Sequence, residues 1–410
     1  MRVCVPFILV LAGSLTASSQ SAPPAPAPDP VPTLKVDVRL VPVHVVVRDA
    51  HGRTVGNLAK DDFQLLDQGK PQGITQFSVE HVSPQAAAAS ASPGRTSAPV
   101  AAQARYTAYL FDDLHLQRED MLQARKSADR QLASLSPATE RAAIFTTSGQ
   151  KGIDFTSDQA KLHDILAHLE AQNTSVASDC PHMSYYTADL IANKGDEYAL
   201  QAATNSAVAD CGFFRSSTVV GASQNMVRAT AREKAEIGRV ETQASLRILK
   251  ALVQGMSKAP GQRTIIIVSS GFFFAEGPEQ VEIMDLAVRG DVIVSALDPR
   301  GLAPASDVRE ATGKFDPQAF AYKSVSDSQE QVVLADLADG TGGVFFHNNN
   351  DIDEGFRRVA STPEYSYILA FKPQDMKPDG SFHRLKVTVN NHGKLTVQAR
   401  EGYYAPKKKP

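Results

Sequence analysis

Apolar and polar residues alternate along stretches near both ends of the chain. Residues 34–47, for example, place Val36, Val38 and Leu40 on one face. An alternation with a period of two predicts β-strands with one buried face, and Pro42 favours an edge position or a bulge. The strands predicted in this way lie at 34–47, 61–65 and 74–79, with turns at 49–52 and 69–71, and at 365–371, 382–389 and 394–399.

Between residues 105 and 361, short apolar runs alternate instead with segments of helical period. The run 264–269 is rich in β-branched residues, which is typical of a parallel strand buried on both faces. Repeated strand–helix units predict an α/β fold with a doubly wound, mostly parallel sheet. The predicted strands are 106–111, 141–146, 264–269, 291–297 and 343–346, and the helices include 158–169, 221–256, 280–288, 326–338 and 351–360.

These patterns divide the chain into segments. Three strands at each end are too few to bury a core alone, so we expect the two β-rich ends to pair in one small antiparallel β-sandwich around the α/β domain. Two separate β units are the alternative. The predicted segments are a signal peptide (1–22), a Pro/Ala-rich tether (23–33), an N-terminal β-rich segment (34–83), a low-complexity linker (84–104), the α/β domain (105–361) with an insertion at 173–222, and a C-terminal β-rich segment (362–410).

The N-terminus has the pattern of a secretory signal peptide. Arg2 precedes an apolar run at 3–15, and small residues follow it. The run is shorter than the about 20 apolar residues that a membrane-spanning helix needs, so we expect cleavage and export, to the periplasm or beyond, with a retained anchor as the alternative. The formal net charge of −3, from 42 basic and 45 acidic residues, gives no basis for nucleic-acid binding.

Cysteine usage agrees with export. Cys4 lies in the signal segment, so the mature chain keeps Cys180 and Cys211. A single pair in an oxidising compartment predicts a disulfide, and two free thiols are the alternative.

The insertion also carries paired aromatic residues. Long insertions in compact domains are usually functional or disordered. If this one covers the crevice at the strand ends, its aromatic side chains are candidates for binding a protein partner, whereas inward packing is the alternative. The four residues are Tyr185, Tyr186, Phe213 and Phe214.

The predicted core strands at 109–113, 142–146, 265–271 and 293–298 resemble those of a von Willebrand factor type A domain. From about residue 34 to residue 404, the chain also resembles an uncharacterised, acidobacterial-type group of exported proteins with a related domain. The stretches that carry this second resemblance are 40–49, 58–63, 298–301, 340–343 and 399–404. The resemblance implies a doubly wound A-like fold and a role in binding or adhesion.

Type A domains usually hold Mg²⁺ through a strand-end Asp-x-Ser-x-Ser, a Thr and a later Asp. The resemblance places Asp112 at the first position, but Leu114 and Leu116 stand at the two Ser positions. Ser-Ser-Gly at 269–271 stands where the later Asp belongs, and Asn173-Thr174 is a candidate source of the Thr. Because Mg²⁺ requires hard oxygen ligands, we expect a degenerate site that needs no Mg²⁺ and no other cofactor.

The adjacent acids Asp112 and Asp113 allow other interpretations. They are the two candidate ligands if a metal does bind, and a register shifted by one would add His115 and Gln117. The simplest interpretation is that they cap the helix that follows.

No complete catalytic motif is present in the sequence; HExxH, GxxxxGK and GxSxG are absent. The main hypothesis is therefore an exported protein-binding or adhesion module with a degenerate metal-ion-dependent adhesion site and an unknown protein partner in the cell envelope. The alternative is a hydrolase that uses Asp112, Asp113 and His115, which requires these groups to converge on a concave site.

Overall fold

The computed structural model describes residues 40–50, 53–81, 104–172, 183–210, 220–273, 278–302, 317–361, 363–374, 377–390 and 394–405. In these ranges the strands are β1 (Val41–Arg48), β2 (Phe63–Asp67), β3 (Lys70–Gln72), β4 (Ile74–His81), β5 (Arg105–Phe111), β6 (Glu140–Thr146), β7 (Gly152–Thr156), β8 (Gln262–Val268), β9 (Val292–Leu297), β10 (Phe345–Phe346), β11 (Tyr365–Phe371), β12 (Phe382–Val389), β13 (Thr396–Ala399) and β14 (Gly402–Tyr404). The helices are α1 (Arg118–Leu132), α2 (Gln159–Ala167), α3 (Tyr185–Ala192), α4 (Glu197–Asp210), α5 (Val220–Met256), α6 (Pro278–Arg289), α7 (Pro317–Thr341) and α8 (Ile352–Ala360).

A six-stranded sheet lies at the centre of the α/β domain. Its order is β10-β9-β8-β5-β6-β7, and every neighbouring pair is parallel except β6 with the edge strand β7. The α/β class and the mostly parallel sheet predicted from the sequence are therefore confirmed. This arrangement is compatible with an A-like fold.

Helices cover both faces of this sheet, which explains why its strands are apolar on both sides. In β8, Ile265 and Ile267 pack with α5, α6 and α7, whereas Ile266 and Val268 pack with α1, α2 and α8. Successive side chains of a strand point to opposite faces, so one apolar run supplies both cores.

The remaining strands form two four-stranded sheets, with the orders β13-β1-β11-β4 and β14-β12-β2-β3. Strands from both ends of the chain pair directly: β1 is antiparallel to β11 with Val43 opposite Leu369, and β2 is antiparallel to β12 with Leu65 opposite Val387. One cluster of buried side chains draws on both sheets, including Phe63 and Tyr367, whose ring centroids are 4.9 Å apart.

Some predicted boundaries were wrong. The turn predicted at 69–71 is a turn at Gln68–Gly69 followed by β3, because Gln68 and Gly69 take positive φ angles of 49° and 76° and complete the reversal earlier. The strand predicted at 61–65 begins at Phe63, after a 3₁₀ turn at Lys60–Asp62. The predicted signal peptide, the predicted tether and all of the predicted linker except Ala104 lie outside the described residues. Among the helices that the structure describes, none is long and apolar enough to cross a membrane.

Candidate functional site

Several polar residues that follow the strands lie together at one edge of the central sheet. Asp112 and Asp113 follow β5, Thr147 and Ser148 follow β6, and Ser269 follows β8. Because Phe111 is in register with both Thr146 and Val268, the next residues of the three strands are neighbours. Chain order reverses beside β5, and open α/β sheets bind ligands at such a point.

The Asp112 carboxylate is completely buried, and protein donors occupy both of its oxygens. Oδ1 accepts a hydrogen bond from Thr147 Oγ1 at 2.8 Å and lies 2.8 Å from His115 Nδ1. Oδ2 accepts a hydrogen bond from Ser269 Oγ at 2.5 Å and lies 2.9 Å from the same imidazole nitrogen. The carboxylate is therefore held from three directions by groups of the protein itself.

The pairing of Asp112 with His115 shifts the pKa values of both side chains. Burial alone would raise the pKa of the Asp112 carboxyl, but the charge of His115 and the hydrogen bonds to Asp112 hold this pKa below its usual value. Burial alone would lower the pKa of His115, but Asp112 raises it above its usual value. The pair is thus favoured as imidazolium and carboxylate, and its positive charge lies directly against the Asp112 oxygens.

Asp113 is held just as fully, mainly by Ser148, and its Oδ1 also lies 3.1 Å from Thr147 Oγ1. Its Oδ1 accepts a hydrogen bond from the Ser148 backbone N–H at 2.9 Å, and its Oδ2 accepts one from Ser148 Oγ at 2.6 Å. The Asp113 side chain is 2% exposed. Its backbone carbonyl accepts a hydrogen bond from the Gln172 N–H at 2.6 Å, which fixes the end of the described segment before the insertion.

As they stand, the residues around Asp112 do not fit a Mg²⁺ site. Mg²⁺ needs near-octahedral oxygen ligands, whereas both Asp112 oxygens accept protein hydrogen bonds beside an imidazolium. Leu116, at one of the two Ser positions, is buried in the apolar core. Asn173-Thr174 lies outside the described residues, and the threonine that does contact Asp112 is Thr147.

Two other interpretations of these acids were wrong. The shifted register does not assemble, because His115 turns back to Asp112 while Gln117 is exposed at the N-cap of α1. Asp112 and Asp113 do not cap α1 either, since that helix begins at Arg118 and their carboxylates are engaged within the strand-end loops.

A second polar network, which the sequence analysis missed, lies beside the first. Asp298 follows β9, is buried and accepts hydrogen bonds from Arg300 Nη2 at 2.8 Å and from Gln331 Nε2 at 2.7 Å. Arg300 Nη2 also donates to the Ser270 carbonyl at 2.6 Å, and Nη1 contacts Asp327 at 3.0 Å. Burial would lower the pKa of Arg300, but the Asp298 carboxylate raises it. The sequence did contain an indication of this network. The stretch 298–301 is one of those that resemble the acidobacterial-type group, but no role was predicted for it.

The insertion reaches this edge through aromatic contacts. Tyr185 and Tyr186, at the start of α3, meet the ring of Phe273 edge-on, with centroids 5.3 and 5.1 Å away. The Tyr185 ring also packs on Gly238 of α5, where a Cβ atom would lie 2.3 Å from the ring. Both tyrosines are half-buried. Cys180, Cys211, Phe213 and Phe214 lie outside the described residues, so their pairing and exposure stay predictions.

This chain has distant similarity to several solved structures. No protein-family profile and no curated protein matches the sequence. Among solved structures, a conserved hypothetical protein BatB from Bacteroides thetaiotaomicron has 13% identity and a TM-score of 0.27, over 62% of this chain and 95% of that one. An aerotolerance-related membrane protein from Bacteroides fragilis has 11% identity and a TM-score of 0.28, over 62% and 98%.

The pilus adhesin SpaC from Lactobacillus rhamnosus GG, in an open conformation, has 8% identity and a TM-score of 0.32 over 84% of this chain. The match spans about half of the adhesin, 48% of its length. Likenesses of this size leave the family of the chain open. They lend no support to the resemblance to the acidobacterial-type group.

Proposed function

We propose that this chain is an exported protein-binding module, in which the loops at the carboxyl edge of the central sheet contact a partner in the cell envelope without a metal ion. In this account Asp112, Asp113 and the residues around them are a degenerate metal-ion-dependent adhesion site. They fix the loops and take no part in chemistry.

The observation that carries the proposal is that the carboxylates of Asp112 and Asp113 are buried and already accept hydrogen bonds from other groups of the protein. A general acid or base has to reach the substrate within hydrogen-bond distance, directly or through one water. These two carboxylates are 0% and 2% exposed and accept hydrogen bonds from Thr147, Ser148 and Ser269. These carboxylates are therefore not available to a substrate. This favours binding of a partner by the surrounding surface over catalysis at the edge.

Side chains suited to recognition flank this cluster. Leu302 follows β9 and is 60% exposed, and its backbone N–H donates to Asn350 Oδ1 at 2.8 Å, so its own backbone is anchored. Tyr185 and Tyr186 add half-buried aromatic surface near the end of β8. Aromatic groups that are partly accessible and held in place are typical of protein interfaces.

The hydrolase alternative rests on one observation, the hydrogen-bonded pair of Asp112 and His115. Such a pair orients an imidazole in many hydrolases. Here, however, the outer nitrogen of the ring, Nε2, is itself buried, and the ring stacks against Phe272 with centroids 5.5 Å apart. An imidazole enclosed in this way supports a structural role, so the hydrolase is the weaker candidate.

We infer further that the two antiparallel sheets form one sandwich into which the α/β domain is inserted. The pairing of β1 with β11 supports this, as does the apolar cluster shared by the two sheets. Tyr367 of β11 adds a polar link across the chain: its hydroxyl donates to the Val55 carbonyl at 2.6 Å and accepts from the Leu58 N–H at 3.2 Å.

Site-specific photo-crosslinking tests the proposed function. A benzophenone amino acid in place of Leu302 should capture a discrete partner from envelope extract, with equal yield in EDTA and in Mg²⁺. The matched control is the same group in place of Val79, which is 43% exposed on β4 and remote from the edge. Adducts from both positions alike, from neither, or from position 302 only when Mg²⁺ is present would contradict the proposal.

A further inference from the structure

A cavity of about 680 Å³ lies at the opposite end of the central sheet from Asp112. Its floor is formed where β5, β6 and β8 begin, and its walls are the second half of α1 and the helix α8. Ligand sites in proteins commonly measure about 300–1,000 Å³. Along β5 the two ends are separated by six residue steps, or about 20 Å, so this cavity is distinct from the edge considered above.

Two polar side chains of the floor have no partner among the described residues. Tyr109 is 3% exposed, and no described group hydrogen-bonds its hydroxyl. Burial and the nearby Glu140 raise the pKa of Tyr109, so the phenol keeps its proton and can donate. Gln262 also lines the cavity, and its Oε1 is a buried acceptor without a hydrogen-bond partner. Buried polar groups are normally satisfied, so the Gln262 oxygen points to a missing hydrogen-bonding molecule, and the Tyr109 hydroxyl in the same cavity is available to donate to it.

Four arginines and two carboxylates line the cavity, and each carboxylate is paired with one of the arginines. Arg105 forms an ion pair with Glu140, and Arg130 Nη2 contacts Asp353 Oδ1 at 2.6 Å. Arg130 donates from Nε and Nη2 to Asp353 and from Nη2 to Ser127, which leaves Nη1 without a partner in the described part of the chain. An arginine paired with a carboxylate places hydrogen-bond donors beside acceptors. Because the two charges neutralise each other, such a pair can bind an uncharged ligand.

We propose that this cavity binds a short neutral saccharide through its hydroxyl groups. A sugar hydroxyl both donates and accepts, so it satisfies the Gln262 oxygen, the Tyr109 phenol and the spare Arg130 donor with one kind of group. An apolar ligand would leave all three unsatisfied. An anionic ligand would have to compete for arginines that are already engaged, Arg105 and Arg130 with Glu140 and Asp353, and Arg357 with Glu354.

Titration calorimetry of the purified chain with maltose, cellobiose and chitobiose tests the proposal. At least one of the three should bind saturably, and its per-O-methylated form, which lacks every hydroxyl donor, should not. Binding only of charged sugars such as galacturonate would overturn the assignment of a neutral ligand. Absence of binding for all three disaccharides at about 10 mM would overturn the site, since that concentration detects a Kd of about 1 mM.

Two variants separate a binding role from a structural one. Tyr109→Phe and Gln262→Leu each remove a polar group that makes no hydrogen bond within the described protein. Both should keep the wild-type melting temperature and weaken saccharide binding by about tenfold. The control Gln254→Leu, on the exposed face of α5, should leave binding unchanged. Loss of stability without loss of binding in either cavity variant would overturn the assignment.

Discussion

The imidazole of His115 lies directly against the carboxylate of Asp112, with Nδ1 2.8 Å from Oδ1 and 2.9 Å from Oδ2. The two residues are three apart, in the turn that follows β5, and the backbone N–H of His115 also approaches Oδ1 at 3.3 Å. The sequence resemblance to type A domains implies a cation beside Asp112. In this structure a side chain of the protein occupies that side of the carboxylate.

This pair predicts how stability depends on pH. The pKa of His115 is raised above its unfolded value of 6.5, so its contribution to the free energy of unfolding is complete below about pH 6.5 and is lost as the pH rises through the folded-state pKa. The pKa of Asp112 is lowered from 3.8, so its contribution is present above pH 3.8 and is lost as the pH falls through the lower folded value. Stability from the pair should therefore be greatest between these limits.

Urea unfolding of the wild type and of His115→Gln at about pH 6 and pH 9 measures the alkaline half of this dependence. The wild type should lose more free energy of unfolding between the two pH values than the variant. His163→Gln is the control, because His163 pairs with Asp129 on the exposed surface. Parallel losses in the wild type and in His115→Gln would show that the imidazolium does not stabilise the edge.

A second prediction concerns the link between the two ends of the chain. Tyr367→Phe removes the hydroxyl that bonds Val55 and Leu58, and leaves the buried Leu58 N–H without this acceptor. The free energy of unfolding should fall by about 1–3 kcal/mol. Tyr365→Phe is the matched control on the same strand, and it should change stability by less than about 0.5 kcal/mol. Equal effects of the two substitutions would contradict the role assigned to Tyr367.

The third prediction concerns Cys180 and Cys211, which we expect to form a disulfide in the exported protein. Thiol titration of the unfolded, non-reduced chain should find neither of them reactive, and two reactive thiols from these residues would end the claim. The bridge would close a loop of about 30 residues, worth about 3 kcal/mol in the chain-entropy model. We expect this stabilisation to act on the local opening of the insertion, so replacing both cysteines by Ser should make the insertion sensitive to protease while the main thermal transition changes little.

Individual helices and strands were largely predictable, because each depends on local pattern. The helix predicted at 221–256 is observed at Val220–Met256, and the strand predicted at 365–371 is observed at Tyr365–Phe371. Asp351, in the stretch that the sequence indicated as a helix start, does cap α8 by accepting a hydrogen bond from the Glu354 N–H.

The site was predictable only in part. Asp112 and Asp113 were found because they follow an apolar run, but Thr147 and Ser148 were missed, since their proximity depends on which strand pairs with β5. The orientation of His115 was also beyond the sequence pattern. Its ring turns back onto a residue three positions earlier and is not directed toward Asp113 or Gln117. Strand order and side-chain direction depend on tertiary contacts, so they cannot be predicted from the local periodicity of the sequence.

The central claim is that protein groups, rather than a metal ion, complete the Asp112 site, and a thermal-unfolding titration with Mg²⁺ and Ca²⁺ tests it most directly. A ligand that binds only the folded protein stabilises it by about 2.7 kcal/mol at 100 times its dissociation constant, so a functional site would be visible at millimolar concentrations. We expect the melting temperatures in millimolar Mg²⁺, in millimolar Ca²⁺ and in EDTA to coincide. A rise of several degrees with either ion, lost in Asp112→Ala and accompanied by saturable one-to-one heat in titration calorimetry of the wild type, would contradict the account.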